Sequence, residues 1–108
     1  MATGNTGALT EAVYYILIAL MQPMHGYGIM QKTEELSGGR VRLAAGTLYG
    51  ALNTMVERGW IRALEEEKGS RRKEYLITPE GREIFEGEIR RLQELLDNGI
   101  KVLEAQNG

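Results

Sequence analysis

The chain has 108 residues, with 13 Lys and Arg against 15 Asp and Glu, one histidine and no cysteine. It suits a single small domain and excludes a disulfide scaffold, a thiolate metal site and a structural zinc. Slight net acidity argues against diffuse coating of nucleic acid, so any such binding has to come from a local patch. Small domains bury a low fraction of their surface, and completion of the core by a second subunit is expected.

Residues 1–8 read as a flexible N-terminal segment. It lacks the charged start and apolar run of a secretory signal, which points to an intracellular, cytoplasmic protein. Thr10 before Glu11 caps a first helix, and Val13, Ile16, Leu17 and Leu20 share one of its faces as far as about Met21. Tyr14, Tyr15 and Ile18 lie off that face and are too apolar to stay wet, so they are assigned to a second partner surface. The uncharged run Ala12 to Met24 is shorter than the roughly 20 residues a helix needs to cross a bilayer, so no membrane span is expected.

Gln22 to Gly26 breaks the helix with a proline and a glycine. A second helix, carried by Tyr27, Ile29, Met30, Thr33 and Leu36, runs to the stop Ser37-Gly38-Gly39. His25 reads as a turn or helix-start residue, because no carboxylate or second histidine nearby in sequence would make it a base or a ligand. Arg40 to Leu43 is a short extended or turn segment, and Ala44-Ala45 leads into a third helix.

That third segment, GTLYGALNTMVERGWI from Gly46 to Ile61, organises the rest. Leu48, Leu52, Met55 and Val56 form one apolar stripe and leave Thr47, Tyr49, Gly50, Asn53, Thr54 and Glu57 facing away. Gly59 supplies the left-handed stop, and Trp60-Ile61 restart an apolar pattern in an extended run. Helix, stop and strand is the order of a winged helix-turn-helix, although the same pattern also fits an ordinary packing helix with a solvated polar face.

Ile61, Ala63 and Glu65 then alternate with Arg62, Leu64 and Glu66, and Glu74 to Ile77 answers across a loop, which makes a β-hairpin. Its tip, Glu67 to Lys73, ends in three consecutive cations. Such a run can be a solvated edge that guards against strand pairing. Directly after a candidate recognition helix, it is also where a wing would meet phosphates or a minor groove.

Thr78-Pro79-Glu80 opens the last helix with a hydroxyl cap, proline at the first position and an acid near the positive end of the dipole. Phe85, Ile89, Leu92, Leu96, Gly99 and Leu103 follow at spacings of 4, 3, 4, 3 and 4, the seam of a coiled coil with one glycine gap. Ile84, Leu95 and Val102 widen it, and Glu86 with Arg90 and Asp97 with Lys101 are expected to pair at i, i+4. So long a helix cannot bury its whole seam against so small a domain. It is expected to pack on its copy from another subunit and on the first helix, the alternative being a fold-back on its own domain.

Catalytic patterns do not assemble. Gly26-Tyr27-Gly28 is a lone GxG with no strand before it and no lysine at the required place, one histidine supports no triad, and Glu65-Glu66-Glu67 reads as hairpin surface. Neither an enzyme nor a cofactor is expected.

Taken together, HGYGI at His25 to Ile29, GTLYGAL at Gly46 to Leu52, ERGWI at Glu57 to Ile61, SRRKEY at Ser70 to Tyr75 and LITPEGR at Leu76 to Arg82 resemble the PadR family of transcriptional regulators, in its short form with a single C-terminal helix. The resemblance implies a mainly α fold with a small β-hairpin: a winged helix-turn-helix over 9–78 and a dimerisation helix over 79–108. It implies a homodimer that binds double-stranded operator DNA, usually as a repressor released by an effector, here of unknown identity. By position, Thr47, Tyr49 and Asn53 would face the major groove. Tyr27 and Lys32 would support the backbone, and Ser70, Arg71, Arg72 and Lys73 would form the wing contacts. The dimer interface would hold Tyr14, Tyr15, Ile18, Phe85, Ile89, Leu92, Leu96 and Leu103. Ala44-Ala45 stands where members often have serine or proline, which puts the entry angle of the third helix in question. Trp60 is not on the last helix, where some short members hold flat aromatic effectors between tryptophans. A protein-interaction module with the same fold but no sequence-specific DNA binding is the alternative function.

Overall fold

The computed structural model describes residues 7–64 and 73–107. Most of segment 1–8 and the wing residues Ser70, Arg71 and Arg72 lie outside the described residues. Helix α1 spans Glu11–Ala19, and the Val13 N–H donates to Thr10 Oγ1 at 3.1 Å, as a hydroxyl cap requires. Strand β1, Met24–His25, leads directly into α2, Gly26–Leu36, with His25 at the helix start. Helix α3 covers Ala45–Glu57, β2 Ile61–Ala63, β3 Glu74–Ile77 and α4 Pro79–Asn107.

Glycine ends two of these helices by the same device. Gly38 at φ 65° follows α2 and Gly59 at φ 79° follows α3, a conformation that costs glycine little. After α3, the Trp60 N–H reaches back to the Met55 carbonyl and the Gly59 N–H to that of Val56, both at 3.0 Å. This paired closure, a Schellman motif, satisfies carbonyls the helix would leave orphaned, and it turns the chain into β2.

The expected hairpin pairs antiparallel, with Ile61 opposite Ile77 and Ala63 opposite Tyr75. Sequence reading missed a third strand: β1 adds to the other edge of β3, Met24 opposite Tyr75, giving the order β1-β3-β2. A run of two residues holds no period to detect, and its pairing depends on β3, far along the chain. The core collects Ile16, Leu17 and Leu20 of the α1 region, Ile29 of α2, Leu48, Leu52 and Met55 of α3, and Ile61, Tyr75 and Ile77 of the sheet. Val56 is a correction: it is 39% exposed and outside that core, so the stripe of α3 is narrower than its apolar residues suggested.

Helix α4 is 29 residues long, about 43 Å at 1.5 Å per residue, in a chain whose longest extent is 64 Å. Thr78 Oγ1 accepts the Gly81 N–H at 3.0 Å and donates to the Gly59 carbonyl at 2.6 Å, so one hydroxyl both caps α4 and ties it to the end of α3. Gly81 lies flush on the Trp60 backbone, where an added Cβ would fall 2.9 Å from both the Trp60 carbonyl carbon and Ile77 Cγ1. The anticipated pairs Glu86–Arg90 and Asp97–Lys101 are not formed: Gln93 reaches Asp97 instead, and among the described residues the one ion pair within α4 is Arg91–Glu88. Exposed i, i+4 pairs gain only a few tenths of a kcal/mol, too little to hold two long side chains in place. Among the described residues, no helix is long and apolar enough to cross a membrane.

Candidate nucleic-acid interface

Helix α3 is anchored by its inner face and open on its outer one. Leu48, Leu52 and Met55 are buried, while Thr47, Tyr49, Gly50, Asn53, Thr54 and Glu57 are exposed, as their spacing implied. Gly46 and Gly50 have nothing within 4 Å of an added Cβ, so the outer face is shallow over its first two turns. Thr54 turns its hydroxyl back to the Gly50 carbonyl at 3.2 Å. Asn53 is exposed, and its side-chain amide carries both a donor and an acceptor, the chemistry that pairs with adenine in a major groove.

Tyr49 is less free than the helix period suggests. It is 46% exposed, yet its phenol lies against Gly26 at the start of α2. Tyr75 is buried, and its hydroxyl is pushed above its ordinary pKa by that burial and then by the Tyr49 phenol. On α2, Tyr27 is 64% exposed and its hydroxyl accepts from Gln31 at 3.2 Å. Lys32 is half-buried and leans toward Glu35 at 3.7 Å, a loose surface pair that a phosphate could displace.

An exposed ion pair ties the connection between α2 and α3 to α1. Arg40 grips Glu11 of α1 through both guanidinium nitrogens. The hydrogen bonds, aided by the opposite charge, hold the Glu11 carboxyl below its ordinary pKa and raise that of Arg40. Ala44 offers no side-chain cap to α3, and in the connection before it the Ser37 hydroxyl accepts the Val41 N–H at 2.9 Å. Sequence reading passed over Arg40 because its partner is remote in sequence. On the wing, Lys73 is exposed at the start of β3, and at its base the Arg58 guanidinium stacks 5.3 Å from the Trp60 ring centre.

The residues expected at a subunit interface divide. Tyr14 and Phe85 pack on each other within one chain, ring centres 5.0 Å apart, with Tyr15 edge-on to Tyr14 at 6.0 Å. The expected contact of α4 with α1 is thus made, and it covers much of the tyrosine surface. Ile89, Leu92, Leu96 and Leu103 remain open, joined by Leu95, Val102 and Ile100, the last not anticipated. A cleft of about 790 Å³ lies between Trp60, residues 7–9 and the first half of α4. At its edge Glu88, only 6% exposed, accepts from Arg91 at 2.6 Å and from the Leu9 N–H at 3.3 Å. The described residues contain no cluster of side chains able to hold a metal ion.

A recognition-type helix laid on α1 and α2, a strand pair directly after it and a long trailing helix define a winged helix-turn-helix protein of the regulator class. Residues 15–87 match the family model of PadR-like transcriptional regulators, and the chain belongs to that family. Among solved structures it is similar to a PadR family transcriptional regulator from Eggerthella lenta, at 27% identity and TM-score 0.70 over 85% of this chain and 80% of that one. It also resembles the protein TA0346 from Thermoplasma acidophilum, at 30% identity and TM-score 0.66 over 87% and 90% of the two chains. Bacillus subtilis PadR, solved in complex with operator DNA, shares the fold at 22% identity and TM-score 0.63 over 74% of this chain and 47% of its own. A 37.1 kDa protein in transposon TN4556 of Streptomyces fradiae is 38% identical over 86 residues, 79% of this chain. The match takes in 24% of that protein, so the chain spans about a quarter of the length of this curated relative.

Proposed function

We propose that the chain is a cytoplasmic homodimeric repressor that reads an inverted repeat in double-stranded DNA and leaves it when an effector binds. The observation that carries this reading is the outer face of α3: polar, shallow and exposed, on a helix whose inner face is locked into the core. Thr47, Tyr49 and Asn53 read base edges there, Tyr27 and Lys32 meet the backbone, and Ser70, Arg71, Arg72 and Lys73 make the wing contacts. The operator complex of the Bacillus subtilis relative supports the DNA partner. The open seam of α4 supports pairing with a second copy, which would set two α3 helices about one duplex turn apart.

Selection of bound duplexes from a random pool, followed by gel shifts over a salt series, tests the reading. A palindromic consensus bound with steep salt dependence is expected. Equal binding to selected and random duplexes would remove sequence reading from the proposal.

A further inference from the structure

Gly26 occupies the first position of α2 without needing glycine's conformational range. The positive-φ glycines among the described residues are Gly38, Gly39 and Gly59, and Gly26 is not one of them. Glycine here carries the usual entropic cost of ordering the most flexible residue, so another requirement has to keep the side chain small. That requirement is room. An added Cβ would run into the Tyr49 hydroxyl and stand 2.8 Å from Cζ and 3.4 Å from Cε1 of the same ring. Gly28, two residues further on, has a different neighbour, because its Cβ would meet Met24 Cγ at 2.8 Å and not Tyr49.

We propose that Gly26 is a positioning residue for DNA reading: the missing side chain is the seat that holds the Tyr49 phenol across from α2 to α3, its hydroxyl fixed at the rim of the α3 outer face. The inference rests on the DNA-binding reading above and deepens it by joining two separate motifs, HGYGI and GTLYGAL, into one device. A methyl group here displaces the end of the Tyr49 ring, which is 46% exposed and can move off its seat toward solvent. A seated phenol meets its base or phosphate in one orientation, whereas an unseated one has to be ordered at the moment of binding. Losing that one well-placed hydrogen bond corresponds to roughly tenfold in affinity.

A double-mutant cycle between Gly26→Ala and Tyr49→Ala, read by affinity for the selected duplex, tests this. Gly26→Ala alone is expected to bind roughly tenfold more weakly, as one lost hydrogen bond implies, and Gly28→Ala much less so. In the Tyr49→Ala background, Gly26→Ala should have no further effect. Equal losses in both backgrounds would overturn the inference. Thermal unfolding of the same four proteins reads the seat without DNA: the change in midpoint on Gly26→Ala is less favourable beside Tyr49 than in the Tyr49→Ala background. If Gly26→Ala does not fold, recovery of cooperative unfolding in the double variant supports the seat, and its failure there refutes it. If the unaltered protein selects no duplex, the function reading falls and takes the DNA role of Gly26 with it, whatever the unfolding cycle shows.

Discussion

Replacing Leu96 by alanine probes the open seam of α4 where the arithmetic is simplest. Full burial of a leucine side chain is worth about 1.5–3 kcal/mol. Leu96 is 57% exposed in the single chain, so a second copy closing over it can recover roughly half of that. A two-fold interface uses the residue twice, which makes the loss on truncation about 1.5–3 kcal/mol per dimer, or about 10- to 150-fold in the dissociation constant. Sedimentation velocity over a dilution series measures it, with Glu104→Ala on the polar side of the same helix as the control. The fold of each chain should persist, because Leu96 lies beyond the part of α4 that touches its own domain. An unchanged association constant for Leu96→Ala, or single chains throughout the micromolar range for the unaltered protein, would refute the reasoning.

The other predictions concern the domain and its surface. Gly81→Ala drives a methyl group into the Trp60 backbone and should destabilise the chain by about 1–3 kcal/mol in urea unfolding, with both neighbours too constrained to yield. Glu88 gives a pH dependence of definite sign. The Arg91 guanidinium, assisted by the Leu9 N–H and opposed by burial, holds its carboxyl below the usual 4.5. Because the folded value lies below the unfolded one, the stabilisation is complete above pH 4.5 and is lost as pH falls through the folded value. Glu88→Gln should therefore flatten the acid limb of a melting-temperature profile and leave its shape near neutrality unchanged. Lys73→Ala should weaken binding to all duplexes alike and reduce the salt slope by roughly 0.9, whereas Asn53→Ala should relax preference at one base pair by about 1–3 kcal/mol in competition gel shifts.

The helices were legible because each writes itself locally. Thr10 and Thr78 cap, Gly38 and Gly59 stop, and the spacing of Leu48, Leu52 and Met55 turns Thr47 and Asn53 outward without help from any distant residue. The family resemblance, carried by short motifs in order, was legible for the same reason and is met by the family match over residues 15–87. Val56 shows the limit of periodicity: it falls on the apolar arc of α3 and still lies outside the buried core, 39% exposed.

Tertiary structure decided the features that join remote segments. Met24–His25 became a strand only because β3 offered it an edge. Arg40 found Glu11, the Leu9 N–H found Glu88 across 79 positions of sequence, and the Tyr49 ring came to rest on Gly26. Periodicity and turn chemistry describe a residue's relation to its near neighbours along the chain, and so they determine which face of an element is apolar and where it ends. Which foreign side chain meets that face depends on how the elements pack, and packing is a property of the folded whole.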